Sequence, residues 1–468
     1  MSNLDPSTPS AAVTAMREDW AIVDPLMGGT KAMRKAGKEL LPQWPKEEND
    51  AYTARLNLST LLPAYSETVA NMTGRVFADD LTIGDDVPAD IKAYCENIDR
   101  QGNSLNVWAQ DLFRLGLSHG LCFVLVDHPG TSRVDADGNA VLVTGADLIA
   151  EKSRPYAVII KPEQVIGWKS QEAGGEYSLT QFRYAETVEE FADGAFTAEV
   201  IDQVRVLEPG LWQIWRKVKA GDNAGKWMIH SEGTTTLDVI PLAVLYTKRT
   251  GFMQAEPPLL ELAHQNVKHW QSQSDQDNIL HIARVPMLCV SGIDDESWQL
   301  SVGTSNATKL PAGGDMKWVE HSGAAINAGR DSLADLVDEM RMAGAKLLSK
   351  DKQATKTAAQ ANEEAAQEMS PLETMAGRLE DCLDQVLQLF ALWRGLPEGG
   401  HVKVNGNFDV DYSAESNLQF LLSMTNATKL SDETLFNEAK RRGALSSDLE
   451  WLEEQQRISD QGPALGII

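Results

Sequence analysis

Three long helical patterns occupy the C-terminal half of this chain, and a short β-rich segment separates the first two. After Pro257-Pro258, the residues Leu259, Leu262, Ala263, Val267, Trp270, Ile279 and Leu280 predict a helix from Leu259 to about Ile282. Leu333, Leu336, Val337, Met340, Ala343 and Leu347 make a second stripe. Leu372, Met375, Leu379, Leu383, Val386, Phe390 and Trp393 make a third, at steps of three and four throughout. Between the first two lie VPMLCVSG, WQLSV and KWVEH, short strand-like runs within 285–321 broken by Gly and Asp. A fold for this chain must therefore house helices about 20 residues long, roughly 30 Å each, with a small β insert between two of them. The first helix is polar in its middle, where Lys268, His269, Gln271, Ser272, Gln273, Ser274, Asp275, Gln276 and Asp277 sit between Val267 and Ile279. That stretch is too polar for a packed monomer core, so the helix is expected to project from a body or to face water.

The N-terminal half mixes helix and sheet. Residues 1–13 read as a disordered lead. Thr14 to Asp24 carries Met16, Trp20, Ile22 and Val23 as a helical stripe, ended by Pro25 and Gly28-Gly29-Thr30. Glu47 to Phe77 reads as helix interrupted at Pro63. Residues 104–119 form an amphipathic helix closed by His119-Gly120, since glycine suits a left-handed cap. LCFVLVDHPG then reads as a buried strand. YAVII, QFRYAE, DQVRVLE, LWQIWRKV and KWMIH follow as short strands, with a hairpin signal at Glu208-Pro209-Gly210. HVKVNGNFDVDY (401–412) alternates as a strand pair, and 415–460 is helical and acidic. The fold class expected is α+β.

Composition narrows the function classes. The chain has 468 residues, with 43% apolar and 24% charged, which suits about three globular domains and excludes wholesale disorder. No apolar run approaches the ~18 residues of a membrane helix, and the N-terminus lacks a basic-then-apolar signal. Cys95, Cys122, Cys289 and Cys382 lie far apart, which fits a reducing compartment. The 42 basic residues face 68 acidic ones, a net charge of −26. Such a surface repels nucleic acid and anionic membrane. It suits solubility alone, or a protein that handles DNA without gripping it.

Against that background Lys346, Lys350, Lys352 and Lys356 cluster at and beyond the end of the second apolar helix. They read either as a solvated helix end, where cations are favoured, or as weak, sequence-independent contacts to passing phosphates. Other chemistry is sparse. The eight histidines show no metal-ligand spacing; His264 and His269 stand five apart, which does not place them on one face. Gly28-Gly29-Thr30-Lys31 has no strand before it and does not read as a phosphate loop. Asp275 and Asp277 with Asp294, Asp295 and Glu296 resemble a two-metal carboxylate set, but read better as a solvated helix and an acidic turn. Trp212 and Trp215 could stack on bases, but suit packing on a sheet. No catalytic residue, metal ligand or cofactor is expected, and the chain is read as non-enzymatic.

The order of motifs carries a resemblance. It runs through Trp20 with Gly29-Thr30, Arg34, Gly37 and Leu41-Pro42, then Tyr52, Arg55 and Gly74-Arg75-Val76-Phe77. It continues through Arg154-Pro155-Tyr156, Ile166, Trp168, Arg205-Val206-Leu207 and Pro209-Gly210 to Pro257-Pro258-Leu259-Leu260. Ala263, Asn266, Ser274-Asp275, Pro286, Gly292, the MAGAKLL run at 342–348, Ser431-Asp432-Glu433-Thr434 and Arg441-Arg442-Gly443 complete it. In that order the chain resembles the portal proteins of tailed bacteriophages, and more closely a portal-like family catalogued as a domain of unknown function.

The resemblance implies a homo-oligomeric ring, most often of twelve subunits, at one capsid vertex of the virion, made in the host bacterial cytoplasm. It implies a channel for packaging and ejecting double-stranded DNA, and docking of terminase and then of a head-tail adaptor. Major capsid and scaffold proteins are the other partners implied, with no membrane. It places a wing at 14–253, a stem helix at 254–284, a clip at 285–325 and a returning stem helix at 326–349. A tunnel loop at 350–360, a spine helix at 361–396, wing strands at 397–412 and a short crown at 413–468 follow. Under it Lys350, Lys352, Lys356 and Lys346 are tunnel-loop DNA contacts. The rival readings are a phage-associated metal-dependent nuclease or hydrolase, and another head-tail structural protein.

Overall fold

The computed structural model describes residues 5–129, 133–134, 140–141, 153–191, 194, 196–284, 287–292, 310, 313–319, 324–348, 370–408, 421–441, 445–446 and 449–460. Two compact units divide the chain, residues 1–407 and 408–468.

The first unit opens with α1 (Ala11–Met27), whose N-cap Ser10 accepts from the Val13 N–H at 3.4 Å. Val13 is fully buried, Ser10 donates its N–H to the Ile166 carbonyl at 2.9 Å, and Arg183 donates to the Pro6 carbonyl at 2.9 Å. The segment expected to be a disordered lead over 1–13 is therefore packed from residue 6 onward. α1 also runs past Pro25 instead of stopping there. Burial of Leu26 in the last turn outweighs the backbone N–H that proline lacks. α2 (Gly29–Ala36), α3 (Asn49–Leu58) and α4 (Ala64–Val76) follow, with the break before α4 at Pro63 as expected. β1 (Thr82–Ile83) and α5 (Ala89–Cys95) lead to α6 (Leu105–His119), which buries Leu105, Trp108, Leu112, Phe113 and Leu117.

β2 (Leu121–Asp127) is buried along nearly its whole length. β3 (Arg133–Val134) and β4 (Ala140–Val141) pair with each other, and β5 (Tyr156–Ile160) pairs with β2. An antiparallel meander then runs through β6 (Val165–Ala173), β7 (Glu176–Glu190), β8 (Glu199–Glu208), β9 (Leu211–Lys217) and β10 (Trp227–Thr234). β11 (Leu242–Tyr246) returns to β2, giving a second sheet in the order β11-β2-β5. The two sheets and α1 share one core, with Trp20, Phe123, Ile160, Val165, Phe182, Tyr184 and Leu207 at its centre. β12 (Arg249–Gly251) and β13 (Gln254–Ala255) form a short ribbon against it.

α7 (Leu260–Ala283), β14 (Met287–Ser291), β15 (Asp315–Val319), α8 (Ala324–Ala345) and α9 (Pro371–Arg394) follow. α9 buries Leu372, Leu379, Leu383, Val386, Leu387 and Phe390, and is tied to the three-stranded sheet at both ends. Arg378 donates to the Thr247 carbonyl at 2.7 Å and Trp393 Nε1 to the Val126 carbonyl at 2.8 Å. β16 (Val402–Lys403) pairs with β1, in the register Thr82↔Lys403, so the alternating stretch after Gly400 takes a distant partner and not the local one expected. Residues 409–412 of that stretch lie outside the described residues.

The carboxyl end of α6 lies inside this unit. Helix ends leave carbonyls without intrahelical partners, and here side chains from three other elements reach them. Trp20 Nε1 donates to the His119 carbonyl at 3.0 Å and the Tyr65 hydroxyl to the Ser118 carbonyl at 2.7 Å. The Thr247 hydroxyl lies 2.7 Å from the Gly116 oxygen and 3.0 Å from the Gly120 oxygen. Burial pushes the Tyr65 phenol far above its ordinary range, so it stays a donor. Gly120 closes the helix at φ 92°, a left-handed value, and a Cβ there would sit 2.3 Å from the Glu256 carbonyl oxygen.

The second unit holds α10 (Asp432–Arg441) and α11 (Trp451–Asp460), joined through Phe436 and Trp451, whose rings lie 5.4 Å apart. The architecture is mixed α+β, as the sequence predicts. Among the described residues no helix is long and apolar enough to cross a membrane.

Gly120→Ala tests the buried cap. Both the left-handed backbone and the contact with Glu256 oppose a side chain, so the variant loses more than about 1 kcal/mol, read as a lowered urea midpoint.

Candidate functional site: the helical hairpin and the lysine segment

α7 and α8 pack along each other, and β14 and β15 pair antiparallel between them, from Met287↔Val319 to Ser291↔Asp315. Glycine makes the approach of the helices close. A Cβ on Gly329 would lie 2.1 Å from Gln276 Oε1, and Gln276 Nε2 donates to the Ile326 carbonyl at 2.9 Å.

The polar middle of α7 faces water only in part, as expected, at Lys268, Asp275 and Asp277; its other side packs on the body. Asn266 is fully buried, accepts from the Tyr65 N–H at 2.9 Å and donates to the Leu62 carbonyl at 2.9 Å. Gln271 donates to the Leu40 carbonyl at 3.0 Å, and Ser274 meets the Ser59 hydroxyl at 2.9 Å. His269, Ser274 and Gln276 are buried as well. The physical reason is local. The turns that end at Leu40 and Leu62 and the start of α4 expose backbone groups that the amides of Gln271 and Asn266 meet, and the Ser59 and Ser274 hydroxyls meet each other. The helix is polar because it bolts irregular backbone to itself.

Arg55 is the strongest of these bolts. It forks onto Glu47 with two contacts of 2.8 Å, donates to the Pro42 carbonyl at 2.9 Å and reaches Ser274 at 3.4 Å. Its guanidinium lies 4.1 Å from the Trp44 ring centroid. The Arg55 and Glu47 side chains are 5% and 6% exposed, so each charge depends on the other for its solvation. The Arg55 hydrogen bond holds the Glu47 carboxyl below the ordinary carboxylate range.

The outer surface of α8 is charged. Arg330, Asp331, Asp335, Asp338, Glu339 and Arg341 are exposed, with ion pairs Arg330–Asp331 at 3.7 Å and Arg341–Asp338 at 2.9 Å. Its apolar stripe is only partly covered. Leu336 and Met340 are buried, Leu333 and Val337 are half-buried, and Met342 is 63% exposed.

Lys346 is exposed in the turn after α8, next to buried Leu347 and Leu348. Lys350, Lys352 and Lys356 lie outside the described residues. The two ends of the segment that carries them are tied together. The Leu372 N–H donates to the Leu347 carbonyl at 3.0 Å, and Ser370 and Glu373 form a reciprocal capping box at the start of α9. Lys346 therefore stands at the foot of that segment.

The other sequence candidates fall elsewhere. Asp275 is raised by partial burial and Asp277 accepts from Gln273 at 2.8 Å, while Asp294, Asp295 and Glu296 lie outside the described residues. His264 is exposed and His269 is buried. Trp212 and Trp215 pack on the sheet cores. Gly28 separates α1 from α2, which begins at Gly29, and the Thr30 hydroxyl accepts from the Leu61 N–H at 3.1 Å, so that motif serves packing. One grouping was invisible in the sequence: the fold brings Asp24, His119 and Glu163 together from three separate elements.

Residues 258–394 match the family model described as "Domain of unknown function (DUF4055)". The match spans the hairpin, the lysine segment and α9. No curated protein matches the chain. Among the solved structures that contain similar chains are three of gene transfer agent particles. One, from the "Virion of native gene transfer agent (GTA) particle", is 10% identical over 81% of this chain and 88% of its own, at a TM-score of 0.41. A second, from the "Neck of empty GTA particle computed with C6 symmetry", is 11% identical over 80% and 88%, at 0.42. A third, from the "Neck of native GTA particle computed with C12 symmetry", is 12% identical over 80% and 88%, at 0.40.

Arg55→Met leaves the Glu47 carboxylate buried without its partner, and is expected to lose about 3–5 kcal/mol in urea unfolding. Because Glu47 is depressed in the folded state, its contribution is complete above the unfolded carboxyl value near about 4.3. It is lost as pH falls through the lower folded value. The stability gap between wild type and Glu47→Gln should therefore shrink steadily below that pH.

Proposed function

We propose that this chain is the non-enzymatic subunit of a ring-shaped conduit for double-stranded DNA at one vertex of a phage-like capsid. The observation that carries the reading is the hairpin. Two long helices flank a small β pair, and a lysine-bearing segment with tied ends follows at once. That is the order in which portal proteins, which the sequence resembles, place stem, clip, stem and tunnel loop.

The partly covered stripe of α8 supports the same reading. Half-buried Leu333 and Val337 and exposed Met342 offer apolar surface that a neighbouring copy would cover. A head-to-tail interface whose rotation closes gives a ring. The charge balance is also suited to transport. A net charge of −26 repels the DNA backbone, so a few lysines would guide it without holding it.

In this reading 14–253 form the wing, 254–284 and 326–349 the stem, and 285–325 the clip. Residues 350–360 form the tunnel loop, 361–396 the spine, 397–412 the returning wing strands and 413–468 the crown. Terminase and then a head-tail adaptor would dock on the ring, and major capsid and scaffold proteins would surround it.

Native mass with negative-stain imaging tests the assembly. The expected particle is a closed ring with a central hole, near about 600 kDa for twelve copies of 51.3 kDa. A compact dimer with no hole would overturn the reading. Replacing Lys350, Lys352 and Lys356 with Ala should leave ring formation intact and reduce DNA retained in assembled particles. Unchanged packaged DNA in those particles would remove the lysines from the mechanism.

A further inference from the structure

We propose that Asp24, His119 and Glu163 form a binding site for one divalent metal ion of the zinc class, with a fourth position open to water. Asp24 comes from the last turn of α1, His119 is the last residue of α6, and Glu163 lies in the single turn before β6. One ligand atom from each lies within 4.8 Å of the other two.

The imidazole is set for this role. Its side chain is 4% exposed, so the ring has little freedom to turn. Nδ1 faces the Ser118 hydroxyl at 2.7 Å and the Leu115 carbonyl at 3.3 Å. Outer contacts of that kind fix the orientation of a ligating histidine, and the other nitrogen would exchange its contact with Asp24 for the ion. Nε2 points at Asp24 Oδ1, 2.7 Å away. Packing adds a further restraint, because the Trp20 ring meets His119 edge-on with centroids 6.2 Å apart.

The carboxylates have room for a cation, since among the described residues the Asp24 carboxylate is paired with His119 alone. Two of them converge on one point in a chain of net charge −26, and among the described residues no lysine or arginine pairs with either. The nearest guanidinium, that of Arg17, is committed to backbone, donating to the Val165 carbonyl at 2.8 Å and the Glu163 carbonyl at 3.3 Å. The Glu163 carboxylate itself accepts no hydrogen bond from a described residue. Ligands about 2.0–2.2 Å from one tetrahedral ion stand roughly 3.4 Å from each other, so Asp24 Oδ1 has to draw back from the imidazole, now 2.7 Å away, and Glu163 has to move in from within 4.8 Å. Asp24 and Glu163 are both exposed and can make those shifts without disturbing the core.

The donor set selects the ion. One imidazole nitrogen and two carboxylate oxygens suit a borderline four-coordinate cation such as Zn²⁺. Ca²⁺ asks for six or more oxygens, and Mg²⁺ for a near-octahedral shell that keeps most of its waters. Bound there, the ion would pin α1 to the end of α6 and to the start of the meander. Its role would be structural.

The test uses the full-length protein, stripped with a chelator and titrated with Co²⁺ and then Zn²⁺. The expected result is one Co²⁺ per chain with visible ligand-field absorption, displaced by one Zn²⁺. Glu163→Gln, an exposed change that leaves the fold intact, should weaken Zn²⁺ binding at least tenfold. Metal-free wild type and Glu163→Gln should have the same thermal midpoint, with Zn²⁺ raising only the former. Absence of the absorption would overturn the site, as would Zn²⁺ affinity equal in wild type and Glu163→Gln, which would put the ion elsewhere on the acidic surface.

Discussion

A helix that ends inside a protein must find partners for its last carbonyls, and the end of α6 is where this fold meets that demand. Trp20 from α1, Tyr65 from α4 and Thr247 from the turn after β11 all reach the same few oxygens. Each contact is modest alone, but leaving the Ser118 or His119 carbonyl buried and unpaired costs about 1–3 kcal/mol. Three elements far apart in sequence are thereby fixed against one helix end. Gly120 then turns the chain directly into β2, the central strand of the three-stranded sheet. The position of that sheet, and of α9 packed on it, follows from this one junction.

The hairpin depends on the same arrangement one step removed. Tyr65, which caps α6 through its hydroxyl, presents its backbone N–H to Asn266 on α7. The polar residues of α7 then work along the helix, meeting Leu62, Leu40 and Ser59 in turn, with Arg55 bridging to Ser274. An apolar helix in this place would have left the Leu40 and Leu62 carbonyls and the Tyr65 N–H without these partners. Hydrogen bonds also fix register more strictly than apolar contact does. The helix can neither slide nor rotate without breaking several of them together.

The sequence was most legible where structure is set locally. Pro257-Pro258 and the spacing of Leu259, Leu262 and Ala263 located α7, and His119-Gly120 located the end of α6. The strands at 121–127, 156–160 and 202–208 fell where short apolar runs met turn residues. Long-range effects were hidden. Composition could show that α7 is polar, but not that its partners are backbone groups of α3, α4 and their flanking turns. Pro25 looked like a stop because the burial of Leu26 is a tertiary effect. β16 pairs with β1, more than 300 residues before it, which no local pattern could show. Asp24 and His119 stand 95 residues apart, so no spacing rule could bring them together. Of the lysine cluster, only Lys346 falls among the described residues.

The tie between Leu347 and Leu372 has a further consequence for how such a chain can change over time. The body of the protein constrains the two ends of the segment between them and asks nothing of its length. For a loop closed in this way, each doubling of length costs only about 0.6 kcal/mol. Residues can be gained or lost there, and charges exchanged, with little effect on the stability of the rest. The end of α8 and the start of α9 are thus held by one backbone contact, whatever chain joins them.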